Sequence, residues 1–204
     1  QNSIGDYILD NICIECTTTE NLNGEYYLDA EFLVDDEGLF KHIEEDCVLK
    51  VAMDYGKELF SIVNVIKTTS TVIVFARQIT VAETTSLWLE DVRPEMKDGQ
   101  QALTHMIDGA IGRKNIRVSS DISTISTAFY MNMNMYEALH NADNSYNVRW
   151  GGEVKRRGYD LIIDTKRGKD NGVQIRSRKN LTGLEAETNI DSVVTRIKAQ
   201  GYDD

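Results

Sequence analysis

Cys47-Val48-Leu49-Lys50-Val51-Ala52-Met53 runs into Asp54-Tyr55-Gly56-Lys57 and out again through Glu58-Leu59-Phe60-Ser61-Ile62-Val63-Asn64-Val65-Ile66. Two runs rich in β-branched and aromatic residues, joined by a polar turn that contains glycine, predict a β-hairpin. Downstream, Thr68-Thr69-Ser70 turns the chain into a further strand from Thr71 to Arg77. Upstream, Tyr7 to Thr18 leads through the turn Asn21-Leu22-Asn23-Gly24 into Glu25 to Val34, a long hairpin. Short strands broken by turns about every 8 to 12 residues predict a compact barrel or sandwich over residues 1–80.

The pattern changes near residue 81. Ala82 to Val92 has helical spacing, with Leu87, Trp88 and Val92 apolar, and stops at Pro94, the one proline of the chain. Asp98 caps a second helix whose stripe is Ala102, Leu103, Met106, Ile107 and Ala110. A third begins near Asn134 and runs through Tyr136, Ala138 and Leu139 toward Asn141. Between them lie Asn115 to Ser119 and Thr124 to Tyr130, at least one of them a strand. Residues 81–148 therefore read as an α+β lobe.

From Trp150 the strand signature returns. Glu153 to Arg157, a turn at Gly158, Tyr159 to Asp164, a turn over Arg167 to Gly172 and Val173 to Arg178 form a meander. Ser192 to Lys198 reads as a last strand. The meander breaks off close to the chain end, so 149–204 is expected to be a second β lobe cut short. The opening at Gln1 without a methionine points to a trimmed or processed chain.

Composition narrows the function classes. The 204 residues are 41% hydrophobic and 27% charged, ordinary for a folded chain. No window approaches the roughly 18 apolar residues of a membrane span. The net charge of −11 disfavours general affinity for DNA or anionic lipid. The charge is uneven, however: between Trp150 and Asn180 nine Lys or Arg face four acids. Such asymmetry suits an acidic surface meeting a basic one in another subunit, or two solvated hairpin faces.

Sites of chemistry are few. Cys13 and Cys16 form a C-x-x-C within a strand, which would send the thiols to opposite faces, and no second ligand pair completes a zinc site. Three cysteines with Cys47 make no disulfide framework and fit a reducing compartment. His42, His105 and His140 lie in separate segments with no catalytic motif around them. Cys47 opens an apolar strand, where a thiol is expected to be buried and inert. Asp35-Asp36-Glu37-Gly38 and Glu44-Glu45-Asp46 lack the alternating frame of a calcium loop. Arg167 to Gly172 lacks the ending of a phosphate loop. Tyr130-Met131-Asn132-Met133-Asn134-Met135-Tyr136 alternates as a buried strand entering a helix or as an apolar strip for a partner. The aromatics Tyr26, Tyr27, Trp88 and Trp150 are expected in the core. No catalytic, cofactor-binding or metal-ligating residue is assigned.

One series of short motifs spans most of the chain: Leu22-Asn23-Gly24-Glu25-Tyr26-Tyr27-Leu28, Glu58 to Ile62, Asp98 through Leu103, Ser120-Asp121-Ile122, Glu137-Ala138-Leu139, Arg149-Trp150-Gly151-Gly152-Glu153, Arg167-Gly168 with Gly172-Val173, Lys179-Asn180-Leu181-Thr182-Gly183 and Val194 to Ile197. In order and spacing it resembles the N-terminal hub region of the prophage endopeptidase tail family, the tail-associated lysin or baseplate-hub proteins. The resemblance implies a β-rich α+β fold with two β-barrel-like lobes flanking a smaller α+β lobe. It implies a protein that, when full length, forms a homotrimer at the virion tail tip, is made in the bacterial cytoplasm, contacts distal tail or tail-tube proteins and surrounds a channel for genome DNA. The family's lytic module lies downstream of the matched region, so the chain is not expected to be an enzyme. The competing readings are a tail peptidase or peptidoglycan hydrolase acting through Cys47 or a histidine, and a host-surface-binding module.

Overall fold

The computed structural model describes residues 6–169, 171–174, 176, 179 and 183. Gln1–Arg167 form one compact unit and Gly168–Asp204 a second. After a 3₁₀ turn at Asp10–Ile12, the strands β1 (Cys13–Glu20), β2 (Tyr26–Leu33), β3 (Val48–Met53), β4 (Gly56–Lys67) and β5 (Thr71–Gln78) form one antiparallel sheet in the order β1-β2-β5-β4-β3. The chain continues through α1 (Ile79–Ser86), β6 (Trp88–Val92), α2 (Gly99–Gly109), β7 (Arg117–Ser119), β8 (Tyr130–Asn134), α3 (Met135–His140), α4 (Tyr146–Arg149), β9 (Glu153–Arg157) and β10 (Asp160–Asp164). The fold is thus β-rich α+β.

Alternation builds the first core. Tyr26, Leu28, Ala30 and Phe32 of β2, Phe60 and Ile62 of β4, and Val72, Val74 and Ala76 of β5 all point inward and are buried. With period two, a one-residue slip would turn every one of them to solvent, so the pattern fixes the register. The sheet remains open: β1 and β3 are its two edges.

The second core joins helices to short strands. Leu87, Leu89, Leu103, Met106, Tyr130, Met135, Leu139, Tyr146 and Trp150 pack with Val154, Leu161 and Ile163 of β9 and β10. β10 pairs with β9 on one side and, in parallel, with β7 on the other. The strands expected to open a separate lobe at 149 therefore lie in the same core as the helices before them. No second barrel occurs among the described residues. Val173 and Gln174, expected in a return strand, are outside any strand, and Ser192 to Lys198 lies outside the described residues.

The helix expected over Ala82 to Val92 is corrected. The Gln78 side chain accepts the Thr80 N–H at 2.8 Å, so α1 starts at Ile79. Thr84, Thr85 and Ser86 return their hydroxyls to carbonyls of the preceding turn, which weakens a helix end. Beyond it, Leu87 and Leu89 are buried while Trp88 is exposed, the period of a strand. The Asp98 cap is as expected, accepting from Gln101 N–H at 2.8 Å. So is the start of α3, where Asn134 accepts from Glu137 N–H. Methionine alternation fails at Asn132, whose φ of 53° breaks the extended run. Met131 is left exposed and Met135 is fully buried.

Candidate functional site: a polar seam between two cores

The two cores of the first unit meet along a belt of buried and half-buried polar groups. Asn23 sits at the tip of the β1–β2 hairpin with φ 56°, a left-handed conformation that asparagine tolerates. Its amide donates to the Gly152 carbonyl at 2.8 Å and accepts from Val154 N–H at 2.7 Å, so one side chain fastens the start of β9. The motif Arg149 to Glu153 delivers that strand. Trp150 stacks on Tyr146 and donates to the Lys97 carbonyl at 2.9 Å. Gly152 has φ 99°, and a Cβ there would lie 2.5 Å from Ile122 Cδ1 and 3.0 Å from the Asp164 carbonyl oxygen.

A second fastening lies at the β9–β10 turn. Glu58, completely buried, accepts from Gly158 N–H at 2.7 Å and from Gln78 Nε2 at 3.1 Å through one carboxylate oxygen. Gln78 Nε2 also donates to the Gly158 carbonyl at 2.8 Å. The other Glu58 oxygen has no partner among the described residues. Beside it the Tyr26 and Tyr55 hydroxyls bond at 2.6 Å, and burial, with this bond second, pushes the Tyr26 hydroxyl well above its ordinary range. The Arg157 guanidinium lies 3.5 Å from the centroid of the Tyr55 ring. Arg167 makes two parallel bonds to Glu20 at 2.7 and 2.8 Å, the fork geometry that favours arginine over lysine.

Arg156 is the least expected member. Only 1% exposed, it forms no ion pair among the described residues. Its Nη2 donates to His140 Nε2 at 3.2 Å, while Nη1 is unpartnered. Burial pulls the guanidinium below its ordinary range, with Tyr136 and Glu20 opposing the shift. Since Nε2 accepts, the neutral His140 ring carries its proton on Nδ1, 2.9 Å from the Asn147 amide. Only the amide orientation presenting Oδ1 satisfies that N–H. Burial, and then the adjacent Arg156 charge, lower the His140 pKa to about 3.

The residues singled out from sequence do not converge. Cys13 and Cys16 are corrected: the register shifts between Cys13 and Glu15, so Cys13 lies opposite Phe32 and Cys16 opposite Ala30. Phe32 and Ala30 share the inward face of β2, and cross-strand neighbours share a face, so the bulge at Ile14 turns both thiols the same way. Burial raises the pKa of each, and for Cys16 the neighbouring Cys13 adds to it. Cys47 is exposed rather than buried. His42 stacks on Tyr7 at 3.6 Å, and His105 lies on the polar side of α2 in a shallow depression with Lys97 and Asp108. Asp35 is occupied in accepting the Leu39 and Phe40 N–H groups. Trp88, expected in the core, is 43% exposed, and Tyr27 is half-buried. Of the basic run, Arg156, Arg157 and Arg167 find partners within the chain. Among the described residues no group of three or more His, Cys, Asp or Glu could hold a metal ion, and no helix is long and apolar enough to cross a membrane.

Sequence reasoning missed the seam. Its one available signal was parity: Glu58 and Gln78 occupy inward positions of β4 and β5, alongside Phe60, Ile62, Val74 and Ala76.

No family profile matches the chain, and no curated protein does. Among solved structures it is similar to the crystal structure of prophage tail protein gp18 from Listeria monocytogenes EGD-e, at 14% identity and a TM-score of 0.48. The match covers 79% of this chain and 46% of that one, so the chain spans about half the length of that protein.

Proposed function

We propose that the chain is a structural component of a phage or prophage tail tip, a hub piece that assembles as a homotrimeric ring joining the tail tube to the tip and surrounding the DNA channel. The carrying observation is the ordered motif series from Leu22-Asn23-Gly24 to Arg167-Gly168, rather than the structural likeness. Several of its members meet in space: Asn23 donates to the Gly152 carbonyl, the Ser120 N–H to Gln100 Oε1, the Gly99 N–H to the Ile122 carbonyl and the Arg167 N–H to the Glu153 carboxylate. The motifs act as joints of a scaffold, which suits a protein whose work is to hold shape.

Light scattering on the chain should give a mass of three copies, and a monomer persisting at high concentration would count against the ring. A hydrolase acting through Cys47 is the competing reading, because that thiol is exposed. Incubation with cell walls discriminates: turnover abolished by Cys47→Ala would replace the scaffold reading with an enzymatic one.

A further inference from the structure

We propose that the outer face of the five-stranded sheet docks onto the Trp88–Ile111 corner of a second copy of this chain. The inference rests on the ring-forming reading and names the surfaces that would make it.

Register determines what the outer face presents. One row crosses four strands as Ile66, Ile73, Glu31 and Glu15, and the next as Asn64, Phe75, Asp29 and Thr17. The β4–β5 half carries the apolar cluster Ile66, Ile73 and Phe75 beside Asn64, with Ile66 and Ile73 55% and 43% exposed, and gives way to Ser61 and Arg77 in the following row. The β1–β2 half is acidic. A solvent-facing side of an antiparallel sheet normally alternates to polar residues, so adjacent exposed isoleucines depart from the rule. Glu15 and Glu31 stand directly opposite each other, an arrangement of like charges that destabilises a strand pair. Neither forms an ion pair among the described residues. An isolated chain therefore exposes Ile66 and Ile73 beside the facing Glu15 and Glu31 pair, and an apolar contact flanked by cations would relieve both.

The same chain carries that complement. Trp88 and Ile111 exchange backbone hydrogen bonds at 2.9 and 2.7 Å, which sets them side by side, and they are 43% and 55% exposed. Arg113 and Lys114 follow immediately, both exposed and neither in an ion pair among the described residues, although the Lys114 ammonium donates to the Asp108 carbonyl at 2.8 Å. Nearby Arg117 is already bound to Asp160 at 2.6 Å. Nucleic acid and anionic lipid are poor occupants of the sheet face, since residues 1–80 hold 15 acids and 5 bases. Because the two surfaces differ, the contact is heterologous: each copy offers one face to each neighbour, and the series closes when the rotation permits.

Sedimentation of the 204-residue chain over a range of concentrations and salt tests this. Association should weaken with added salt, and Glu31→Lys or Arg113→Glu alone should weaken it about tenfold. The double variant should recover it, because the reversed charges again face each other. Unchanged circular dichroism melting would show that each variant still folds. An oligomer indifferent to both reversals and to Ile73→Glu, or a double variant that fails to recover, overturns this interface and leaves the ring reading standing. A chain that is monomeric throughout removes both.

Discussion

The two cores of the first unit are built by different rules. The sheet core obeys parity: every second residue of β2 and β5 faces inward, as do Glu58, Phe60 and Ile62 of β4 up to a register shift between Ile62 and Asn64, and the glycine at its β3–β4 turn, Gly56, has nothing within 4 Å of a built Cβ. The helical core depends on close approach. A Cβ on Gly99 would lie 2.6 Å from the Tyr146 hydroxyl oxygen, on Gly109 2.8 Å from Val92 Cγ2, and on Gly152 2.5 Å from Ile122 Cδ1. The first kind of information is spread over many residues that tolerate exchange for similar ones. The second is concentrated at a few points that tolerate almost none.

The contrast can be broken most forcefully inside the sheet. Phe60→Ala removes a completely buried ring packed edge-on against Tyr26 and should cost about 3–5 kcal/mol, read by chemical denaturation. If the cores are separate units, hydrogen exchange should lose protection in β2, β4 and β5 first and keep it in α2 and α3. Simultaneous loss would make them one cooperative body.

Next comes Gly152→Ala, expected to cost about 3 kcal/mol from the clash and the positive φ together. Gly56→Ala shares the positive φ without the clash, at 129°, and should cost no more than about 1–2 kcal/mol. Equal losses in thermal melts would erase the distinction between the two rules.

Acid tests the seam. His140 has its pKa depressed to about 3, below the ordinary value of 6.5, so below pH 6.5 the unfolded chain takes up a proton that the folded one refuses. Its contribution is fully present above pH 6.5 and is lost as pH falls toward 3, by up to about 1.4 kcal/mol per pH unit. His140→Gln should flatten that part of the stability curve, and an unaltered acid limb would refute the assignment. A small effect, comparable to that of Gly56→Ala, is expected from Asn23→Ala, about 1–2 kcal/mol for its bonds to Gly152 and Val154, seen as faster exchange of Val154 N–H.

How much was legible follows from the same contrast. The strands of the sheet can be read from the alternation of Tyr26 to Phe32 and Val72 to Ala76, because parity is visible in one segment at a time. The switch from α1 to β6 was not, because Gln78 starts the helix early and the partner that makes Trp88 to Val92 a strand is β8, which pairs Trp88 with Asn134 and Val92 with Tyr130. The C-x-x-C was misread for a related reason: a single inserted residue, Ile14, reverses the facing of everything beyond it. Arg156 looked like part of a basic surface run, and only the fold reveals that it is enclosed.

Asn23 lies 129 and 131 residues from its two partners, and Glu20 lies 147 from Arg167. During synthesis at about 5–20 residues per second, the first sheet can form and then stand for roughly ten seconds before the chain it must meet exists. Throughout that wait Glu20, Asn23, Glu58 and Gln78 can bind water instead. A seam made of leucines would present the half-built protein to its neighbours as a sticky patch; this one keeps the nascent chain soluble until the far end arrives.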